Sequence, residues 1–167
     1  MTRSIVAVII GFMVASAIMM IVETANTRVL YPDLAALAAS TDAQVVHDMQ
    51  ASAPAGAAPD ARELALRRRE ALRGMMASAP TGALLVVVAG WILGSVAGAF
   101  AAAWIGRCRP IAHGLVLGVL LMLAGIANNL MLPPPAWFWI VTFIVFLPAT
   151  YLGARLAGRR RGAAPAS

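Results

Sequence analysis

With 61% hydrophobic and only 12% charged residues, this chain of 167 residues is more apolar than a soluble domain, which is nearer half apolar and a quarter charged. Its net charge of +6 comes from 13 arginines and no lysine, set against seven acids. Those arginines flank apolar runs rather than forming a nucleic-acid footprint, so charge here speaks of topology and excludes nucleic acid as a partner.

Four runs contain almost no charge: 5–22, 83–105, 111–132 and 136–156, the last interrupted only by Arg155. At 1.5 Å per residue each crosses a hydrocarbon core of about 30 Å. The expected fold class is all-α. It is an integral membrane four-helix bundle, with spans at about 4–25, 82–106, 110–132 and 136–158. A long outer loop at about 26–81 should contain one or two short helices. Residues 1–167 form a single membrane domain, and no soluble enzyme domain fits beside the spans.

The first span raises the alternative of a cleaved signal peptide, because Ala15-Ser16-Ala17 has small residues of the cleavage type. The apolar run continues through Val22, too long for a signal core, so a retained anchor is expected. In the loop, 52–59 reads as an Ala/Pro-rich linker. From Asp60 a helix is expected, capped by Asp60 and braced by Glu63 and Arg67 at i,i+4. Its apolar side carries Ala61, Leu64, Ala65, Leu72, Met75 and Met76, to lie on the membrane, on the bundle or in solvent. Residues 33–49 could hold another short helix. Pro80-Thr81-Gly82 breaks the chain before the second span.

Small residues recur every four positions in the later spans. The second carries Gly90, Gly94 and Gly98, then Ala102 and Gly106; the third Gly114, Gly118 and Gly125; the fourth Ala149, Gly153 and Ala157. Such stripes let backbones approach closely in lipid, where no hydrophobic force drives helices together. Packing within the chain is expected, with a homo-oligomer or a membrane-protein partner as the alternative. Trp104 and Tyr151, and at the other end Trp137, Phe138 and Trp139, suit the headgroup level. Pro148 should kink the fourth span and free the carbonyl of Ile144.

Enzyme signatures are missing: no H-E-x-x-H, G-x-S-x-G, Walker loop or CxxC. His47 and His113 fall on opposite sides of the bilayer and cannot share a metal or haem, so each reads as an interface residue. Cys108, flanked by two arginines, reads as a loop thiol, with acylation as the sharper alternative. No cofactor, metal site or catalytic residue is expected, and the chain reads as not an enzyme.

One polar set remains. Glu23 and Asn26 end the first span one turn apart, and Asn128 and Asn129 lie near the outer end of the third. Asn129 falls close to the Gly114/Gly118/Gly125 stripe and so faces protein. Glu23, Asn26, Asn128 and Asn129 can form an interhelical clamp, or else a ligand or proton site.

At Pro80-Thr81-Gly82-Ala83-Leu84-Leu85, Trp91 and Gly94, Gly125-Ile126-Ala127-Asn128 and Pro135-Ala136-Trp137-Phe138, the chain resembles a group of small, uncharacterised bacterial inner-membrane proteins. The resemblance implies four spans and a bacterial envelope location. That group has no established activity, so it supplies no catalytic residues. Small multidrug-type exporters fit poorly: their glutamate lies well inside the membrane and their loops are short. The leading functional reading is a structural, accessory or interaction protein of the bacterial cytoplasmic membrane. The alternative is a small transporter or channel using the polar cluster.

Arg3, Arg107, Arg109, Arg155 and 159–161 fall on one side of a four-span chain, so both termini should be cytoplasmic. Six arginines lie between positions 23 and 82, but so do all seven acids, and short loops dominate orientation. Reporter fusions after Ser52 and after Ser167 should therefore report opposite compartments. The same compartment for both would overturn the four-span topology.

Overall fold

The computed structural model describes residues 2–53, 58, 60–107 and 109–162, without the side chains of 161 and 162. Cys108 and most of the 52–59 linker lie outside the described residues. Among those described, the fold is all-helical. Helix α1 (Thr2–Ala25) runs into a π-helical turn (Asn26–Leu30), followed by α2 (Pro32–Ser52) and α3 (Ala61–Ser78). Then come α4 (Thr81–Gly106), α5 (Pro110–Met131) and α6 (Ala136–Gly162). By length and composition, four of these are apolar enough to cross a membrane: α1 with its π turn, α4, α5 and α6.

The segment expected as a loop with one or two short helices is instead mostly helix, in two elements of 21 and 18 residues. Local chemistry explains both. Pro32 presets the first turn of α2, with Asp33 beside it at the positive end of the helix dipole. Asp60 caps α3, its Oδ1 accepting the Arg62 backbone N–H at 2.9 Å. The expected Glu63–Arg67 pair forms at 3.0 Å, exposed and so worth a few tenths of a kcal/mol. A second ion pair, Arg68 with Asp42 at 2.8 Å, ties α3 to α2. The α2–α3 hairpin caps one end of the bundle. The chain breaks at Ala79 and Pro80 before α4.

Small residues set the bundle. Ala7, Gly11 and Ala15 form a buried stripe on α1 that faces Gly94, Gly98 and Ala102 on the antiparallel α4, while Gly90 packs on Val22. A methyl group at Gly98 would sit 2.5 Å from the carbonyl oxygen of Gly11, and one at Gly94 would sit 2.8 Å from that of Ala15. On α5, a methyl at Gly114 would meet Cβ of Ala154 at 2.5 Å and one at Gly125 would meet the Phe146 ring at 2.7 Å. Gly118 lies against the Thr150 hydroxyl, and Gly153 lets α6 close on the Val96 carbonyl of α4. Every stripe glycine thus packs within the chain.

Helix α4 packs against α1, α5 and α6, and α5 packs against α6, whereas α1 touches α5 only slightly. A seam between α1 and α5 is left open as a consequence. Trp91 of α4 centres the core, 5.0 Å edge-on from Phe138 and 5.2 Å from Phe146. Phe138 therefore belongs to the core, not to an interfacial belt, while its neighbour Trp137 is exposed. Helix α6 continues unbroken through Pro148.

At the opposite end, Arg107 and Arg109 take positive φ (61° and 49°) in the α4–α5 turn. Glycine would adopt that geometry more cheaply. The turn is nevertheless well tied. His113, buried against Gly106, donates from Nδ1 to the Arg109 carbonyl at 3.1 Å. Arg3 Nε reaches the Ile105 carbonyl near the α4 C-terminus at 3.0 Å.

Gly94→Leu should destabilise the bundle by roughly 1–3 kcal/mol, because the new side chain meets the Ala15 backbone oxygen, which cannot move aside as the neighbouring Met19 side chain can. Gly74→Leu, where nothing lies within 4 Å, should be neutral or slightly stabilising. Equal melting temperatures for the two variants in detergent would contradict the α1–α4 contact.

Candidate functional site

Beneath the α2–α3 hairpin lies a cavity of about 240 Å³, walled by α1, its π turn, α2, α3, α4, α5 and the start of α6. Its lining is mostly apolar: Leu34 and Ala38 from α2, Leu72, Met75 and Met76 from α3, Leu84 and Val87 from α4. The expected apolar side of α3 is therefore spent partly on this cavity, and Met76 packs on the core. Glu23, Asn26, Asn128 and Asn129, the four polar residues singled out from the sequence, all line it, joined by Thr27.

They do not form the clamp that the sequence suggested, because none of the four bonds to another. Each buried amide is held by a different helix. Asn26, 2% exposed, donates from Nδ2 to the Ala83 carbonyl of α4 at 3.0 Å. Asn129, 1% exposed, donates from Nδ2 to the Thr142 hydroxyl of α6 at 2.8 Å. The Thr142 hydroxyl in turn donates to the Phe138 carbonyl at 2.9 Å. The two bonds fix the α1–α4 and α5–α6 registers at this end.

Each amide is left half satisfied. Asn26 Oδ1 and Asn129 Oδ1 are buried, with no hydrogen-bond partner among the described residues. A buried carbonyl oxygen without a donor costs about 1–3 kcal/mol. Both belong to residues that line one cavity, yet both oxygens are closed off by their neighbours. Glu23 is exposed and forms no ion pair among the described residues. It is the only titratable group of the wall among the described residues. Asn128 is exposed as well, as expected for a residue one position from the buried face of α5.

Backbone irregularity contributes. The π turn closes with Tyr31 N–H on the Asn26 carbonyl at 2.8 Å. Turns of this kind inside α-helices concentrate at functional sites. Tyr31 then lays its hydroxyl against Gly82 at the start of α4. Neither feature was legible in the sequence. Nor was the role of Thr142, although a hydroxyl in an apolar span is a signal worth reading. The Ala7/Gly11/Ala15 stripe repeats the four-residue spacing found in the other spans and is the sequence signal of the α1–α4 contact.

A second cavity of about 220 Å³ lies in the α1–α5 seam and is lined by Phe12, Met19 and Met20 on one side and by Leu121 and Ala124 on the other. It shares Glu23 and Asn128 with the cavity under the hairpin. Further along the same seam, toward Arg109, an almost wholly apolar groove of about 520 Å³ is lined by Ile5, Ile9, Val116 and Leu120. His47 lies exposed beside Asp48, far in sequence from His113 and without a ligand set; no metal-holding group of His, Cys, Asp or Glu occurs among the described residues.

Comparison with protein-family models, with curated proteins and with solved structures returned no match. The class defined by the fold is an all-helical protein with four helices apolar enough for a membrane.

Thr142→Val should cost about 1–3 kcal/mol, since it strips the Asn129 amide of its partner while keeping the volume. Thr142→Ser keeps the hydroxyl and should cost less. Melting of both variants in detergent tests this, and a fully stable Thr142→Val would show that the bond contributes nothing.

Proposed function

We propose that this chain is a four-span protein of the bacterial cytoplasmic membrane, both termini cytoplasmic, that works by binding rather than by catalysis. It is an accessory or interaction protein that presents the α2–α3 hairpin, and the cavity beneath it, on the outer side of the membrane. The observation that carries the reading is that cavity, a mostly apolar hollow whose wall carries the Glu23 carboxylate.

The membrane placement rests on the outward faces of the bundle. Ile5, Met13, Ile140 and Ile144 are each more than 60% exposed. Of the apolar windows, only 17% of that in α1 and 50% of that in α4 are buried inside the molecule. Apolar surface on that scale would aggregate in water and is matched by lipid chains. Orientation follows from the arginines at the α4–α5 turn and the two chain ends. A binding role suits the cavity wall better than catalysis, because acid–base chemistry needs partnered groups and Glu23 stands alone there.

A second reading, a small transporter, is favoured by one observation: Glu23 and Asn128 line both the capped cavity and the second cavity in the α1–α5 seam. The two readings separate at Glu23. As the side chain is exposed and unpaired, Glu23→Gln and Glu23→Ala should both leave stability within about 0.5 kcal/mol. For the binding reading, the protein should stay in the membrane pellet after alkaline extraction. Liposomes carrying it should show no proton or cation flux above protein-free vesicles. A wild-type flux that disappears in Glu23→Gln, with melting unchanged, would replace accessory binding by transport.

A further inference from the structure

All seven acids of the chain lie between positions 23 and 70, so α4, α5, α6 and the first 22 residues of the chain carry no Asp or Glu. The bundle end at the α4–α5 turn is therefore basic without a side-chain carboxylate to balance it. Arg3, Arg107 and Arg109 stand there, and Arg155, Arg159 and Arg160 follow on the last turns of α6, where Gly158 lies against Pro110. Arg109 differs from the others in its place. It lines the 520 Å³ groove of the α1–α5 seam, together with Ser4, Ile5 and Ile9 of α1 and Val116 and Leu120 of α5. Its side chain is exposed and has no ion pair among the described residues. Its backbone holds a φ of 49°, so a cation stands at this rim in a conformation that favours glycine.

The groove has the polarity of a lipid, in the order in which a lipid is joined. Arg109 and Ser4 stand at its mouth, and the walls beyond them are apolar. Both α1 and α5 leave this end of the bundle. From Arg109 to Leu120 the helix rises about 16 Å, close to one leaflet of a 30 Å core. A phosphate at the mouth thus leaves a glycerol and then an acyl chain to follow the walls inward. We propose that this groove binds one anionic phospholipid, its phosphate on Arg109 and one acyl chain along Ile5, Ile9, Val116 and Leu120. This rests on the reading of the chain as a membrane protein, and it names a ligand apart from the capped cavity. A net negative headgroup is preferred to a zwitterionic one, because an ammonium would find no carboxylate side chain at this end to receive it.

The test compares phosphatidylglycerol with phosphatidylethanolamine of matched chains. Purified protein is released from nanodiscs holding equal amounts of the two, and the retained lipid is identified by native mass spectrometry. Wild type should retain phosphatidylglycerol about fivefold over phosphatidylethanolamine, the scale of one arginine at an anionic surface. Arg109→Gln, which keeps a non-glycine residue at the same backbone angle, should bring the ratio to about twofold or less. Val116→Trp fills the groove from an exposed position and should lower the ratio as far. Arg159→Gln removes an exposed charge from α6, outside the groove, and should leave the wild-type ratio. Excess glycerol phosphate should displace nothing. Equal retention of the two lipids by wild type would overturn the proposal, as would a ratio undiminished in Arg109→Gln or in Val116→Trp. An equal fall in Arg159→Gln would spread the attraction over the whole basic end and overturn the groove as its site. Displacement by glycerol phosphate would assign the rim to a free phosphate and overturn the lipid. Alkaline extraction decides the membrane reading independently: a chain that stays in the pellet but retains the two lipids equally would sink the groove alone.

Discussion

The structure depends on the contact of α1 with α4, made largely by residues with almost no side chain. Gly11 and Ala15 lie so close to Gly98 and Gly94 that backbone oxygens stand where a methyl group would have to go. A contact between backbones cannot slide by a residue, because the next position on either helix carries a side chain. It therefore fixes the register of α1 along its whole length. Fifteen residues beyond Gly11, that register puts Asn26 opposite Ala83, within hydrogen-bond reach of its carbonyl. The polar end of the bundle is thus placed by apolar packing further down.

Helix α4 uses three faces, toward α1, α5 and α6, and so stands at the centre of the bundle. A centre with three neighbours leaves them unequally paired. The pair α5–α6 closes through Gly114, Gly118 and Gly125, but α1 and α5 have no such stripe toward each other and touch only slightly. The α1–α5 groove is the geometric result. Where α1 ends, the π turn redirects the chain into α2, and the α2–α3 hairpin covers the end of that seam. The capped cavity and the groove are two consequences of one asymmetry in the packing.

Much of the fold was legible because its causes are local or periodic. Long runs without charge marked the four long helices, Asp60 marked the start of α3, and Pro80 the break before α4. The glycine stripes announced close packing within the chain. Phe138 was misread, since sequence cannot say which of three adjacent aromatics turns inward to meet Trp91. The hairpin was underestimated because 33–49 has weak amphipathic patterning, and its pairing with α3 depends on Arg68 reaching Asp42 across 26 residues.

The four candidate site residues were chosen from the sequence by depth and polarity, and the structure gathers all four around one cavity. Their bonding was not legible. A sequence gives the depth of Glu23 and Asn129 through residue counting, since helix rise is constant. It does not give the angular offset between helices, which only packing decides. That offset sends the amide of Asn26 to Ala83 and that of Asn129 to Thr142, instead of to Glu23. Residue composition and spacing by themselves determined an all-helical chain with four long apolar helices and a polar set at one end. Tertiary structure alone decided that the amide oxygens would be buried without donors, and that a groove would open beside them, because both follow from how α1, α4 and α5 meet.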